Sequence, residues 1–234
     1  MTRPLLVLLA FLVCGAPVAA AERTYSVTDF ERVVVEGPYI VRLAIGRSSA
    51  ARASGSQAAL DRVLIEVTGQ TLRIRRNRHY WGGNPGAQEG PLTIELSTRI
   101  LRSARLVGPA RLEVDGAEGL RVDLAVEGSG RLRAVNVAAD ALSLGLVGSG
   151  RLEVAGTADT VTANVQGSGD LDASGLRAGD ATINTTTAGT VAMAVADTAA
   201  VSAYGLGTIE ISGRPACTVR GPSAALVRCG SDQR

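Results

Sequence analysis

A short glycine-rich motif recurs at nearly constant spacing and constrains the fold of this chain more than any other feature. In its clearest form the motif is Gly-Ser-Gly followed by a charged residue and Leu. Its copies, degenerate in the first, fifth and sixth cases, start at Gly108, Gly128, Gly148, Gly167, Thr187 and Gly205. These starts are separated by 20, 20, 19, 20 and 18 residues. A period in this range is typical of a solenoid in which each repeat forms one coil.

Apolar residues alternate on both sides of every motif, which indicates β-strands with one buried face. The positions after the motif are Leu112/Val114, Leu132/Ala134, Leu152/Val154, Leu171/Ala173, Val191/Met193 and Ile209/Ile211. Those before it are Val122/Leu124/Val126, Leu142/Leu144/Leu146, Val161/Ala163/Val165, Ala181/Ile183/Thr185 and Val201/Ala203. The sequence therefore predicts an all-β, right-handed parallel β-helix-like solenoid with about 20 residues per coil. An antiparallel sandwich or prism would use the same alternation and is the alternative.

Composition fits a narrow, regularly stacked interior. Aromatic residues are only 3% of the chain, so the core must consist of Val, Leu, Ile and Ala rather than large rings. All 24 basic residues are Arg, but the net charge is only +2. No basic patch indicates a nucleic-acid partner.

The first 21 residues have the pattern of a signal peptide. Arg3 is followed by an apolar run from Leu5 to Val13 and by the small residues Ala19-Ala20-Ala21. The run is too short for a transmembrane span. Cys14 raises the alternative of a lipoprotein. The bulky Val13 argues against it, because a lipobox would carry Gly, Ala or Ser at that position. We expect an exported protein, periplasmic, extracellular or on the cell surface.

The mature chain, residues 22–234, is predicted to be one domain with irregular strands over 30–105 and regular repeats over 106–230. The elements predicted in the irregular part are alternating strands from Phe30 to Ile45, a loop or weak edge strand from Arg47 to Ser56, a helical turn from Gln57 to Arg62, a hairpin from Val63 to Ile74, a loop from Arg76 to Pro91 and a strand from Leu92 to Leu96.

Two cysteines remain once the signal peptide is removed. Cys217 and Cys229 form an even pair in an oxidising compartment, which favours a disulfide over two buried free thiols. No His lies near them, so a metal site is not expected.

The chain resembles the family called putative auto-transporter adhesin, head GIN domain. The resemblance rests on Phe30–Gly37 leading into Val41-Arg42-Leu43, on Val67–Ile74, on Leu92-Thr93-Ile94 and on the serial Gly-Ser-Gly corners. It spans residues 30–230, nearly the whole mature chain. It implies an exported bacterial β-helix-like domain of unestablished function, with no catalytic residues and no cofactor to carry over. We see no pattern of a translocator barrel or a long passenger in this sequence, so classical auto-transport is not expected.

Two features are candidate binding surfaces. His79-Tyr80-Trp81 joins the only His and the only Trp in a Gly-rich loop, where it could contact a sugar or fold over the sheet. The second is a pair of outward columns beside the corners. One column is Arg111, Arg131, Arg151 and Asp170, and the other is Glu113, Arg133, Glu153 and Asp172. Opposite charges on neighbouring strands also stabilise a sheet surface without any ligand.

Three further patterns carry structural or weaker functional hypotheses. Glu153, Asp170 and Asp172 with Arg151 could form the acidic cluster of a carbohydrate-active β-helix enzyme. Gly167–Asp172 loosely resembles a calcium-binding nonapeptide, but its period is about 20 rather than nine residues, so no calcium site is predicted. Asn164 and Asn184 align one coil apart and are predicted to form an amide ladder.

The sequence therefore predicts a non-enzymatic β-solenoid that binds an envelope glycan or a surface protein. The alternatives are a polysaccharide lyase-like enzyme and a structural envelope protein that self-associates through its ends.

Overall fold

The computed structural model of the chain describes residues 21–77 and 90–230, and these residues form a nearly all-β solenoid. It has about six turns of about 20 residues each, which confirms the predicted fold class. The strands are β1 (Ala21–Tyr25), β2 (Arg32–Glu36), β3 (Ile40–Ile45), β4 (Ala50–Gly55), β5 (Val63–Thr68), β6 (Thr71–Arg76), β7 (Thr93–Thr98), β8 (Ser103–Val107), β9 (Arg111–Gly128), β10 (Arg131–Gly148), β11 (Arg151–Gly167), β12 (Asp170–Thr187), β13 (Val191–Ala203), β14 (Ile209–Gly213), β15 (Ala216–Arg220) and β16 (Val227–Cys229). Helix α1 spans Gln57–Arg62, and a single 3₁₀ turn spans Ala224–Leu226.

The strands form two walls that enclose the core. The first wall has the order β1-β4-β7-β3-β9-β10-β11-β12-β13-β14-β16. The second has the order β5-β6-β2-β8-β9-β10-β11-β12-β13-β15. The long strands β9 to β13 belong to both walls, because each bends in its middle. Thus β9 pairs with β3 through residues 111–115 and with β8 through residues 123–127.

The predicted inward columns are all buried between the walls. Leu132, Leu152 and Leu171, for example, lie directly above one another in the parallel register and are at most 1% exposed. Thr185, the one polar member of the predicted set, is also buried. Burying a Val, Leu or Ile side chain contributes roughly 1.5–3 kcal/mol, so the stacked aliphatic columns are the main stabilising feature.

The glycines of the motif are required because the backbones of successive corners touch. Gly148 has a φ of +114°, and a Cβ on it would lie 2.6 Å from the carbonyl oxygen of Gly128. A second bend, in the middle of β9, β10 and β11, also places a residue at positive φ. It is Gly116, Asn136 or Gly156 in successive coils, and Asn136 is the one non-glycine residue with positive φ among the described residues.

The irregular part confirms the predicted helical turn and hairpin. Helix α1 begins after Ser56, whose hydroxyl accepts a hydrogen bond from Ala59 N at 3.2 Å, and it buries Leu60. Strands β5 and β6 pair in antiparallel register from Val63/Arg76 to Thr68/Thr71.

The segment from Arg47 to Ser56 differs from its prediction as a loop or weak edge strand. It contains β4, which is an inner strand because it pairs with β1 on one side and β7 on the other. Its inward residues are Ala51 and Ala53, both fully buried. Small alanines give only a weak hydrophobic pattern, so the sequence did not indicate an inner strand here.

Candidate binding surface

The outer face of the first wall carries a column of charged residues that alternate in sign up to Glu153, which we call the charge ladder. In spatial order it consists of Arg52, Glu95, Arg42, Glu113, Arg133, Glu153 and Asp172. Arg42 Nε lies 3.4 Å from a carboxylate oxygen of Glu113. The predicted register of Glu113, Arg133, Glu153 and Asp172 is confirmed, and the strands before β9 extend it by three residues.

A second column, nearer the glycine corners, is the arginine column. It consists of Arg111, Arg131 and Arg151 in register, followed by Asp170. Arg151 lies 3.1 Å from an oxygen of Asp170 and 3.8 Å from one of Glu153. The alignment predicted from the sequence is therefore confirmed, while a binding role for these residues stays a prediction.

Two of the three carboxylates of the predicted acidic cluster, those of Asp170 and Asp172, accept hydrogen bonds within the fold. Asp170 accepts from the backbone N–H of Thr190 at 3.0 Å and from Arg151 at 3.1 Å. The Thr190 N–H, followed by Arg151, lowers the pKa of Asp170 below its ordinary value. Asp172 accepts from the backbone N–H and the hydroxyl of Ser174, at 3.1 and 2.6 Å. Both groups are thus hydrogen-bond acceptors, and Asp170 in particular is held ionised.

Two grooves lie along these columns, and they share no residue. The wide groove, of about 840 Å³, runs beside the charge ladder and is lined by Arg42, Ala44, Arg47, Glu113 and Arg133 among others. The corner groove, of about 580 Å³, follows the arginine column and the Ser-Gly corners.

The wide groove is the part of the surface that the sequence did not predict. Its rim includes Asn136, whose amide donates to Asp115 at 2.8 Å, and Arg47 from the loop between β3 and β4. Arg42 and Glu95 each lie between apolar residues, so the sequence pattern predicts that their side chains point outward from their strands. Nothing in the sequence, however, places their strands beside β9.

Other predicted residues lie elsewhere. His79, Tyr80 and Trp81 fall outside the described residues. Asn184 donates to Asn164 at 3.2 Å on the outer face of the second wall, which confirms the amide ladder.

Residues 21–77 and 90–230 contain no cluster of three or more His, Cys, Asp or Glu that could hold a metal ion. Nor does a helix of this part of the chain have the length and hydropathy to cross a membrane.

The comparison with protein families agrees with this architecture. The model of the family described as putative auto-transporter adhesin, head GIN domain, matches residues 29–215. The chain belongs to this family. The predicted resemblance is thereby confirmed from β2 to β14, while β1 precedes the matched range and β15, β16 and their cysteines follow it. Among curated proteins, none matches this GIN-domain chain.

Several solved structures share its fold. A putative adhesin from Bacteroides fragilis superposes with a TM-score of 0.76 at 16% identity, over 92% of this chain and 96% of that one. A putative adhesin from Parabacteroides distasonis gives 0.65 at 19% identity, over 91% and 94%. A putative lipid binding protein from the same species gives 0.62 at 20% identity, over 92% and 96%. At these identities the similarity establishes the GIN-domain fold alone.

Proposed function

We propose that this chain is an exported, non-enzymatic, adhesin-like protein that binds an envelope glycan in the wide groove. The observation that carries the proposal is the groove itself, a concavity of about 840 Å³ beside the charge ladder. Two further observations support export of the protein. They are its membership of a family described as adhesin heads and its signal-like N-terminus.

The chemistry of the groove suits a polar, extended ligand. Both signs of charge line it, with Arg47, Arg52 and Arg133 alongside Glu95 and Glu113. Guanidinium groups supply several hydrogen-bond donors each, and carboxylates supply acceptors, which together match the hydroxyl groups of a saccharide. Arg47, Arg133 and Glu95 have no ion-pair partner within the described residues, so a ligand could contact these three without breaking an existing pair. Arg52 and Glu113, by contrast, are already paired with Glu22 and Arg42.

The enzymatic alternative is less well supported by the same geometry. A glycan-cleaving site needs a carboxyl group that exchanges a proton near neutral pH. Asp170 has the opposite property, because its hydrogen bonds lower its pKa. If replacement of Glu153, Asp170 and Asp172 by Ala abolished a glycan-degrading activity of the purified protein, the non-enzymatic proposal would be wrong.

The binding proposal is tested by filling the groove. Ala44 lies in the groove between Ser97 and Asp115 on the outer face of the first wall. We expect Ala44→Trp to reduce binding to glycan arrays and isolated cell envelopes at least about tenfold, because the indole occupies the ligand volume.

The matched control is Ala125→Trp, which places the same ring on the second wall between Arg105 and Gly145. This variant should bind like the wild type, and both should keep the wild-type circular dichroism spectrum. Equal binding by wild type and Ala44→Trp, or no glycan bound by the wild type, would overturn the proposal.

A further inference from the structure

Two arginines of the corner groove have no carboxylate partner among residues 21–77 and 90–230. Arg111 and Arg131 point outward from neighbouring strands about 4.8 Å apart, and both are exposed. Neither guanidinium has an ion pair or hydrogen bond within residues 21–77 and 90–230. Like charges directly opposite one another destabilise a sheet, so the bare pair is unfavourable unless an anion lies between them.

The absence of an acid here contrasts with the rest of the first wall. Arg151, the next member of the same column, is neutralised by Asp170 at 3.1 Å. Arg133, two residues after Arg131, lies in register between Glu113 and Glu153. Acidic residues therefore lie beside Arg151 and Arg133, whereas Arg111 and Arg131 have no acidic neighbour in their column.

Uncharged donors adjoin the bare pair. The hydroxyl groups of Ser129 and Ser149 line the same groove, and neither has a hydrogen bond within the described residues. The backbone N–H of Ser149 donates to Gly128 O at 2.9 Å, as that of Ser168 does to Gly148 O. The N–H of Ser129, one coil earlier, has no backbone acceptor in the described part of the chain. The corner groove is therefore rich in unused donors, and Asp170 at its far end is its one acid.

We infer that the corner groove binds one phosphate or sulfate group between Arg111 and Arg131. Guanidinium groups hold such tetrahedral oxyanions through paired, charge-assisted hydrogen bonds. The column limits the site to one group, because Asp170 repels a second anion beyond Arg151 and the apolar Ile40 lies beyond Arg111. This site goes beyond the glycan groove of the proposed function, since the two share no residue.

The test uses calorimetric titration of the oxidised wild-type protein with sodium phosphate, sodium sulfate, glucose 6-phosphate and, as a neutral probe, glucose. Arg111→Gln and Arg131→Gln should each weaken phosphate binding at least about tenfold, the size expected for losing a charge-assisted hydrogen bond. The control is Arg133→Gln, which removes the same charge two residues away and should bind like the wild type. Ala44→Trp should also bind phosphate normally, which separates this site from the glycan groove.

The titrations distinguish an esterified ligand, a free ion and a general charge effect. Tighter binding of glucose 6-phosphate than of inorganic phosphate would support an esterified ligand, and equal binding would support the free ion, both at the inferred site. An equal loss in Arg133→Gln and Arg131→Gln would show a general charge effect and overturn the inference. So would binding of glucose alone, or no phosphate binding by the wild type at low ionic strength, where screening is weakest.

Discussion

Glycines of one coil differ sharply in what their backbone requires. Gly148 has a φ of +114° and touches the carbonyl of Gly128, which a Cβ would approach to 2.6 Å. Gly145, three residues earlier on the second wall, has an ordinary φ. A Cβ there would lie 3.6 Å from the Cβ of Ala125 and 3.9 Å from its nearest backbone neighbour, which is ordinary van der Waals contact. The repeat therefore needs glycine at the corner, while the glycine inside the strand is replaceable.

This contrast gives a prediction at the residue scale. Gly148→Ala should lower the free energy of unfolding by about 1–3 kcal/mol, because the left-handed backbone and the clash both oppose a side chain. Gly145→Ala should be neutral or stabilising by about 0.4–1 kcal/mol, since alanine restricts the unfolded chain. Urea denaturation of the two variants and the wild type measures this difference. Equal loss in both variants would refute the distinction.

Elements are tied together by side chains as well as by strand pairing. Asp170 at the start of β12 accepts from Arg151 at the start of β11 and from the Thr190 N–H just before β13. One carboxylate thus links three successive coils, and these bonds lower its pKa below the ordinary value of 3.8.

The lowered pKa predicts how the stability of this link depends on pH. A carboxyl group whose folded pKa lies below its unfolded pKa stabilises the fold fully above the unfolded value, near pH 3.8. That stabilisation is lost as the pH falls through the folded pKa. Asp170→Asn should therefore be less stable than the wild type at pH 7, with the difference shrinking below pH 3.8.

The control is Asp159→Asn, an exposed corner residue whose carboxylate has no hydrogen bond or ion pair within the described residues. Denaturation midpoints of the wild type and the two variants between pH 7 and pH 3 provide the measurement. A gap for Asp170→Asn that stays constant over this range would contradict the assignment.

The regular elements could be predicted from the sequence and the interleaved ones could not. From β9 onward each coil pairs with the next in the chain, so a period of about 20 residues suffices to align Arg131 with Arg151. Before β9 the order in space departs from the order in sequence. Strand β3 lies between β7 and β9, and β2 lies between β6 and β8. The arginine column was therefore predictable, whereas the wide groove depends on Arg42 and Arg52 reaching the wall from interleaved strands.

At the scale of the whole molecule, the two ends of the solenoid are closed differently. The N-terminal end is covered by the antiparallel strands β1, β4 and β5 and by α1. The C-terminal end finishes in β15 and β16, which have five and three residues and carry Arg220 and Arg228. Pro215 and Pro222 flank β15. Short, charged, proline-bordered edge strands resist pairing with another chain, which argues against self-association through this end.

The disulfide between Cys217 and Cys229 completes the C-terminal end. Cys217 is in register with the buried Ala199 and Cys229 with the buried Ile211, so both continue inward columns. The bond joins β15 of the second wall to β16 of the first. It therefore connects the two walls beyond Ala199 and Ile211, in the last coil that the structure describes.

Replacing both cysteines by serine should thus loosen the last coil. Closing a loop of this size, with a sequence separation of 12, contributes about 3 kcal/mol in the chain-entropy model. Because each coil contacts mainly its neighbours, the loss should stay local. We expect faster amide hydrogen exchange in β15 and β16, with β10 and β11 as protected as in the oxidised wild type. The wild type under a reducing agent serves as the second comparison and should behave like the variant. Unchanged exchange in β15 and β16, or an equal increase along all coils, would show that the disulfide does not secure this end.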